Sequence, residues 1–323
     1  MSIGSGAGSR GVYNLTAGQL APIQVLVGVN GEGIFNHSGG TNTCTNGLSV
    51  GHIYKGTYNL TGGELRMQND ANKRLIVGQS APGDGTFNLG DANTSGTITE
   101  FGTATPYGVY LQVVGDGGTG KGTFRGWGSV QLTHYLIMSG RTIADGYGTD
   151  RTLDFSTMRG ISQPYDNTTT NGWYAQNHGK LRLPGINVSG SATYYWGENG
   201  DLDLVNAVRL VINGTGTLVG ELRATDCVDV PVAMRAIGVW NFSGVTGSTG
   251  TLTFRYDHIQ APARGIAESD LKVFRHDGAG WVNVTAGAVD TVNKYITTSA
   301  AVNPVGWFAV GKKIDRGTIF RIH

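Results

Sequence analysis

The side chains able to do chemistry are few, and they are scattered along the chain. The densest acidic group is Glu198, Asp201 and Asp203 in the segment GENGDLDL. A calcium ion collects roughly six to eight oxygen ligands, so carboxylates crowded into one short turn suit it. These three residues are the candidate calcium ligands, and no other cofactor is expected. Asp145, Asp150, Asp154 and Asp166 form a looser set that could hold a cation or, with a nearby Arg or Lys as base, serve a lyase-type reaction. Asp145-Gly146 and Asp150 read more simply as turn formers, and no D-x-D-x-D-G loop is present. The 7 histidines show no pair at zinc-ligand spacing. The run GDGGTGKGT at 115–123 looks like a phosphate loop, but glycine follows Lys121 where Ser or Thr is required. No G-x-S-x-G nucleophile elbow occurs. No catalytic residue is assigned, and enzymatic activity is not expected. Trp173, Tyr174, Tyr194, Tyr195 and Trp196 gather aromatic rings that could stack on sugars; a role in closing a core is the simpler reading.

What must position such residues is a repeat. The stretch LSVGHIYKGTYNLTGGEL at 48–65 holds short alternating runs, each beside glycine, and four sister segments can be laid on it. Their central strands place an aromatic residue at Tyr13, Phe35, Tyr58, Phe87 and Phe124, which are 22, 23, 29 and 37 residues apart. Fixed strands with variable loops mark a solenoid. Runs of three to five residues with period-two alternation, ended by Gly, Asn or Asp, are strands joined by tight turns. A coil of this length fits three strands and three turns, one rung of a parallel β-helix with rungs about 4.8 Å apart. The five aromatics are the expected internal stack, each ring contributing roughly 1.5–3 kcal/mol on burial. The neighbouring asparagines belong to the opposite face or to the bend. Their N-x-S/T triplets at Asn14, Asn36 and Asn59 are byproducts of the repeat.

Glycine is the compositional outlier, at 53 of 323 residues, more than twice its usual share of about 7%. It follows no every-third-residue rule, so collagen is excluded. The formal net charge is +1 with charged residues at 15%, and no basic block marks a nucleic-acid face. A hydrophobic content of 39% is enough for a core. No run of about 18 apolar residues suggests a membrane span. Cys44 and Cys227 lack metal spacing and read as buried thiols, pairing only if their regions pack together.

The repeat covers residues 1–135. Residues 136–207 read as irregular last coils that cap the solenoid, whose final rung must cover unpaired backbone. Strands at 208–212, 217–223, 238–242, 250–256, 270–276, 280–284, 294–298 and 307–310 then argue for an antiparallel β-sandwich over 208–311, with a hairpin around 277–280. The fold class is therefore all-β, a parallel β-helix followed by a β-sandwich. Residues 312–323 form a β-prone tail. In it Thr318, Ile319, Phe320, Arg321 and Ile322 are expected to fold back as an edge strand or to add to a neighbouring subunit.

Segments of the form VG…GTYNLTGGEL resemble the repeats of exported bacterial surface proteins, many of which carry a PEP-CTERM sorting signal. IADGYGTDRTLDFSTM, NGWYAQNHGKLRLP, YYWGENGDLDLVNAVRL and DVPVAMRAIGVWNFSG are similar to segments of such proteins of planctomycete type. So are TLTFRYD and AESDLKVFRHDGAGWVNV. The resemblance spans almost the whole chain and implies an extracellular or cell-surface location. The chain departs from that group in showing neither a signal peptide nor a sorting tail. The expectation is a non-catalytic structural subunit of a surface layer or extracellular filament, polymerising with itself through strand edges. The alternative is a carbohydrate-binding or polysaccharide-processing β-helix, with a cell-surface polysaccharide held along the stacked strands.

Overall fold

The computed structural model is nearly all β, with 57% of residues in strands and 2% in helices. It describes residues 1–70, 73–103, 108–113, 120–162, 171–227, 230, 234–247, 249–299 and 302–314. Among these, no helix is long and apolar enough to cross a membrane.

Three parallel sheets wind into a β-helix. The first contains Ser2–Ile3, Val25–Val27, Leu48–Val50, Arg74–Val77, Tyr110–Val113, Tyr135–Met138 and Gly160–Ser162. The second contains Arg10–Leu15, Glu32–His37, Lys55–Leu60, Asp84–Leu89, Lys121–Gly126, Arg141–Asp145 and Gly172–Gln176. The third begins with Gln19–Leu20, Thr41–Cys44, Glu64–Gln68, Thr97–Phe101, Gly128–Gln131, Thr152–Asp154 and Lys180–Arg182. One strand from each sheet makes a coil, and seven such coils run through Arg182. The last two carry the same three-sheet pairing as the first five, although they lie where the sequence suggested irregular capping. Alternation sets the inside of each coil. In Lys55–Leu60, Gly56, Tyr58 and Leu60 are buried, and Lys55, Thr57 and Asn59 face out.

The corner between the first two sheets depends on glycine. Gly51 has φ +72°, a left-handed conformation that a Cβ penalises. A Cβ on Gly56 would run into the backbone nitrogen of Gly51 and lie 2.5 Å from the Val27 carbonyl oxygen. The glycines before the first four aromatics, Gly11, Gly33, Gly56 and Gly85, are thus required where backbones touch.

Beyond the seventh coil the chain turns antiparallel. Lys180–Arg182 pairs with the end of the long strand Val208–Arg223, so the third sheet continues without a break and reaches sixteen strands. The sequence suggested two strands in place of this one. One flank of Val208–Arg223 is lined by Lys180–Arg182 and then Ile186–Trp196. The other is lined by Met234–Thr246 and then Gly250–Arg255. A register shift between Gly216 and Val219 lies between the break in one flanking partner, opposite 218–221, and the break in the other, opposite 212–215; bulges of this kind let strands turn a corner. The two halves accordingly face one another as a sandwich. Trp196 meets Phe242 with ring centres 5.8 Å apart, and Trp240 meets Phe254 at 4.8 Å. Phe242 and Phe254 both reach Phe308. The expected hairpin is present, Lys272–His276 pairing with Trp281–Asn283. The last strand, Gly306–Lys313, runs two residues past the expected sandwich boundary.

Candidate functional site

The candidate calcium ligands do not converge on a cation. Glu198 is 4% exposed, and its carboxylate accepts the backbone N–H groups of Asp203 at 3.0 Å and Leu204 at 3.1 Å. It therefore ties down the loop that closes the β-helix. Burial pushes its pKa up to about 7, outweighing these hydrogen bonds, which pull it down. Asp201 is exposed and Asp203 is half-buried. Among the described residues no group of three or more His, Cys, Asp or Glu side chains is placed to hold a metal ion. The loop is a plug: Leu202 and Leu204 are buried, Val205 pairs with Gly172, and Trp173 Nε1 donates to the Gly197 carbonyl at 2.7 Å.

The looser acidic set is dispersed as well. Asp150 pairs with Lys180 at 2.5 Å and Arg223 at 3.2 Å, and Asp154 pairs with Arg182 at 3.1 Å. These ion pairs cross the outer face of the third sheet, where coil meets sandwich. Asp145 accepts the Asn177 side-chain amide at 2.9 Å. Asp166 lies outside the described residues, as do Thr318, Ile319, Phe320, Arg321 and Ile322 of the tail. Cys44 and Cys227 are both buried and form no disulfide; burial pushes the Cys44 thiol up to about 12.

The aromatic group that could stack on sugars is mostly core, as the simpler reading has it. Trp173 and Trp196 are fully buried. Tyr194 and Tyr195 pack against the core, and the guanidinium of Arg141 covers the Tyr174 ring at 5.1 Å.

The repeat aromatics do form one internal column. Tyr13 meets Phe35 at 5.1 Å, Phe35 stacks on Tyr58 at 4.5 Å, Tyr58 on Phe87 at 5.0 Å and Phe87 on Phe124 at 5.0 Å. The buried hydroxyl of Tyr58 is paired: His37 Nδ1 lies 3.0 Å from it, and Asn42 Nδ2 donates to it at 3.1 Å.

On the outer face of the same strands runs a second column that the sequence reading missed. Asn36 donates to Asn14 at 2.8 Å, Asn59 to Asn36 at 2.8 Å, Asn88 to Asn59 at 2.6 Å, and Arg125 Nε to Asn88 at 2.5 Å. The signal was available, because an asparagine recurs one residue after each of the first four aromatics.

This ladder floors a cavity of about 400 Å³ bounded by Asn59, Asn88, Arg125, Asp91, Asp145 and Tyr147. Its walls are two long turns between the second and third sheets. Residues 90–96 follow the strand Asp84–Leu89, and residues 146–151 follow Arg141–Asp145; only Trp127 separates the strands of the intervening coil. Trp127 draws both turns together. Its indole N–H donates to the Thr94 carbonyl at 3.1 Å, and the Arg151 guanidinium lies over its ring at 5.2 Å. Arg151 also reaches the Asp91 carbonyl at 3.5 Å. Tyr147 meets Trp127 edge-on at 5.8 Å yet stays 62% exposed.

No family model, curated protein or solved structure matches the chain.

Proposed function

We propose that the protein is a non-catalytic structural subunit of a bacterial surface layer or extracellular filament, joined to its neighbours through strand edges. The observation that carries this reading is the sixteen-stranded sheet, which runs from the first coil into the sandwich with no interruption. A load along the coil axis meets continuous backbone hydrogen bonds, reinforced by the aromatic column inside and the amide column outside.

The same sheet supplies the means of joining. Gln19–Leu20 stands at one end of it and Trp281–Asn283 at the other. Ser2–Ile3 and Arg10–Leu15 are likewise the end strands of their own sheets. Apolar Val12 and Ile23 are 46% and 73% exposed near that end. Two unlike edges that do not close on each other by symmetry generate a head-to-tail fibre. The surface location rests on the likeness of the repeats to exported bacterial proteins.

Negative-stain microscopy of the purified protein, over a range of salt and with or without calcium, tests this. Filaments or sheets that persist in chelator are expected, since the acidic loop is tied to its own backbone. Isolated particles under every condition contradict the reading. Deleting residues 318–323 is expected to weaken assembly, and unchanged fibres would remove the tail from it.

A further inference from the structure

We propose that the trough over the fifth coil is a binding site for an extended, uncharged, β-linked oligosaccharide chain. It lies on coils three to six of the second sheet, away from the strand ends, so it is independent of the assembly proposed above.

Two features indicate a built site. First, the long turns at 90–96 and 146–151 belong to the fourth and sixth coils and rise on either side of the short link through Trp127. Trp127 and Arg151 hold them in place, so the walls are pre-organised. Second, Tyr147 has φ +45°, a conformation unfavourable for a bulky residue. The fold does not use that cost to bury the ring, which stays largely in solvent beside the trough. Strained residues that persist while presenting a side chain outward point to function.

The floor defines the ligand class. Asn59, Asn88 and Arg125 sit in register on successive coils, about one 4.8 Å rung apart. Each side-chain amide gives one N–H and one lone pair to the ladder and retains a second of each. Arg125 uses Nε on Asn88, which leaves its Nη groups for a ligand. The result is a row of alternating donors and acceptors at a spacing close to one sugar ring in an extended chain. Tyr147 supplies an apolar ring face for the C–H side of a pyranose. A volume of about 400 Å³ falls within the range of small-ligand sites.

Other occupants fit less well. The floor is a sheet face whose backbone is already paired, so an extended peptide gains no strand addition. Nucleic acid seeks a basic groove, whereas Arg125 and Arg151 are matched by Asp91 and Asp145, so the trough carries no net charge. The same balance disfavours an acidic polysaccharide.

Titration calorimetry of the full chain with cellohexaose, chitohexaose and polygalacturonate tests the proposal. Binding of at least one neutral hexamer is expected, weaker for its dimer and weak or absent for polygalacturonate. Tyr147→Ala, an exposed change that leaves the core intact, should lower affinity about tenfold, and Tyr147→Phe should preserve it. Circular dichroism of each variant confirms the fold. The proposal is overturned if neither neutral hexamer binds, if polygalacturonate binds more tightly, or if Tyr147→Ala binds as well as the parent.

Discussion

Truncating Phe87 probes the internal column most sharply. Its ring is fully buried and lies parallel to both neighbours, with interplanar angles of 4° to Tyr58 and 2° to Phe124. Phe→Ala in a close-packed core costs about 3–5 kcal/mol in lost transfer energy and cavity formation. Two stacked contacts add ~0.5–1.5 kcal/mol each beyond area burial. Because coils pinned at every edge can collapse little around the void, we expect ~4–6 kcal/mol for Phe87→Ala. Tyr13, with one ring neighbour and partial exposure, should lose only ~1–2 kcal/mol on the same truncation. A domain is stable by only about 5–15 kcal/mol, so Phe87→Ala is close to unfolding the solenoid. Phe87→Leu, which keeps much of the volume and loses the stacking, should cost ~1–3 kcal/mol and carries the test if the alanine variant does not fold. Urea titration followed by far-ultraviolet circular dichroism gives the values. Equal losses for Phe87→Ala and Tyr13→Ala would refute the view that the column stabilises the coils cooperatively.

Gly56→Ala should abolish soluble folded protein at 37 °C, because the new methyl meets backbone on two coils; normal expression and melting would contradict the corner argument. Asn59→Leu removes two ladder hydrogen bonds and should cost ~1–3 kcal/mol in urea titration, with no loss if the ladder is decorative. Glu198 gives a pH dependence of defined sign. The folded protein keeps its proton up to about pH 7, whereas the unfolded chain releases it near the ordinary value of 4.5. Between those values the folded state binds more protons, so stability falls as pH rises through the window. Relative to Glu198→Gln, the parent should lose ~1–3 kcal/mol from pH 5 to pH 8, and parallel curves would show that the loop tolerates the charge.

The repeating half was legible because its chemistry is local. Glycine before the aromatic recurs in the first five coils and asparagine after it in the first four, and both follow from pairing with the coil below. The signature then fails where the pairing does not. At the sixth coil Thr142 stands opposite Phe124, and at the seventh Trp173 stands opposite Thr142. The coil pattern therefore continues to Arg182 under a different set of side chains. For Trp173 and Trp196 the sequence leaves a sugar platform open beside the simpler core role, because aromatic crowding carries no sign of which face is covered. Glu198, Asp201 and Asp203 looked like ligands because a loop that caps itself with a carboxylate uses the same residue types as a cation site. The strand Ile186–Trp196 was missed because its middle, Asn187-Val188-Ser189-Gly190-Ser191, is too polar to show alternation. The trough could not be read from the chain, since Asn59 and Tyr147 meet only after four coils have stacked.

The central claim is growth through strand edges, and sedimentation velocity on the purified chain tests it most directly. The parent should form species that grow with concentration, far above the 34.0 kDa monomer. Val12→Lys with Asn14→Lys, which places charge along the edge strand Arg10–Leu15, should sediment as a monomer with an unchanged circular dichroism spectrum. A parent that remains monomeric at every concentration, or a double variant that still polymerises, contradicts it.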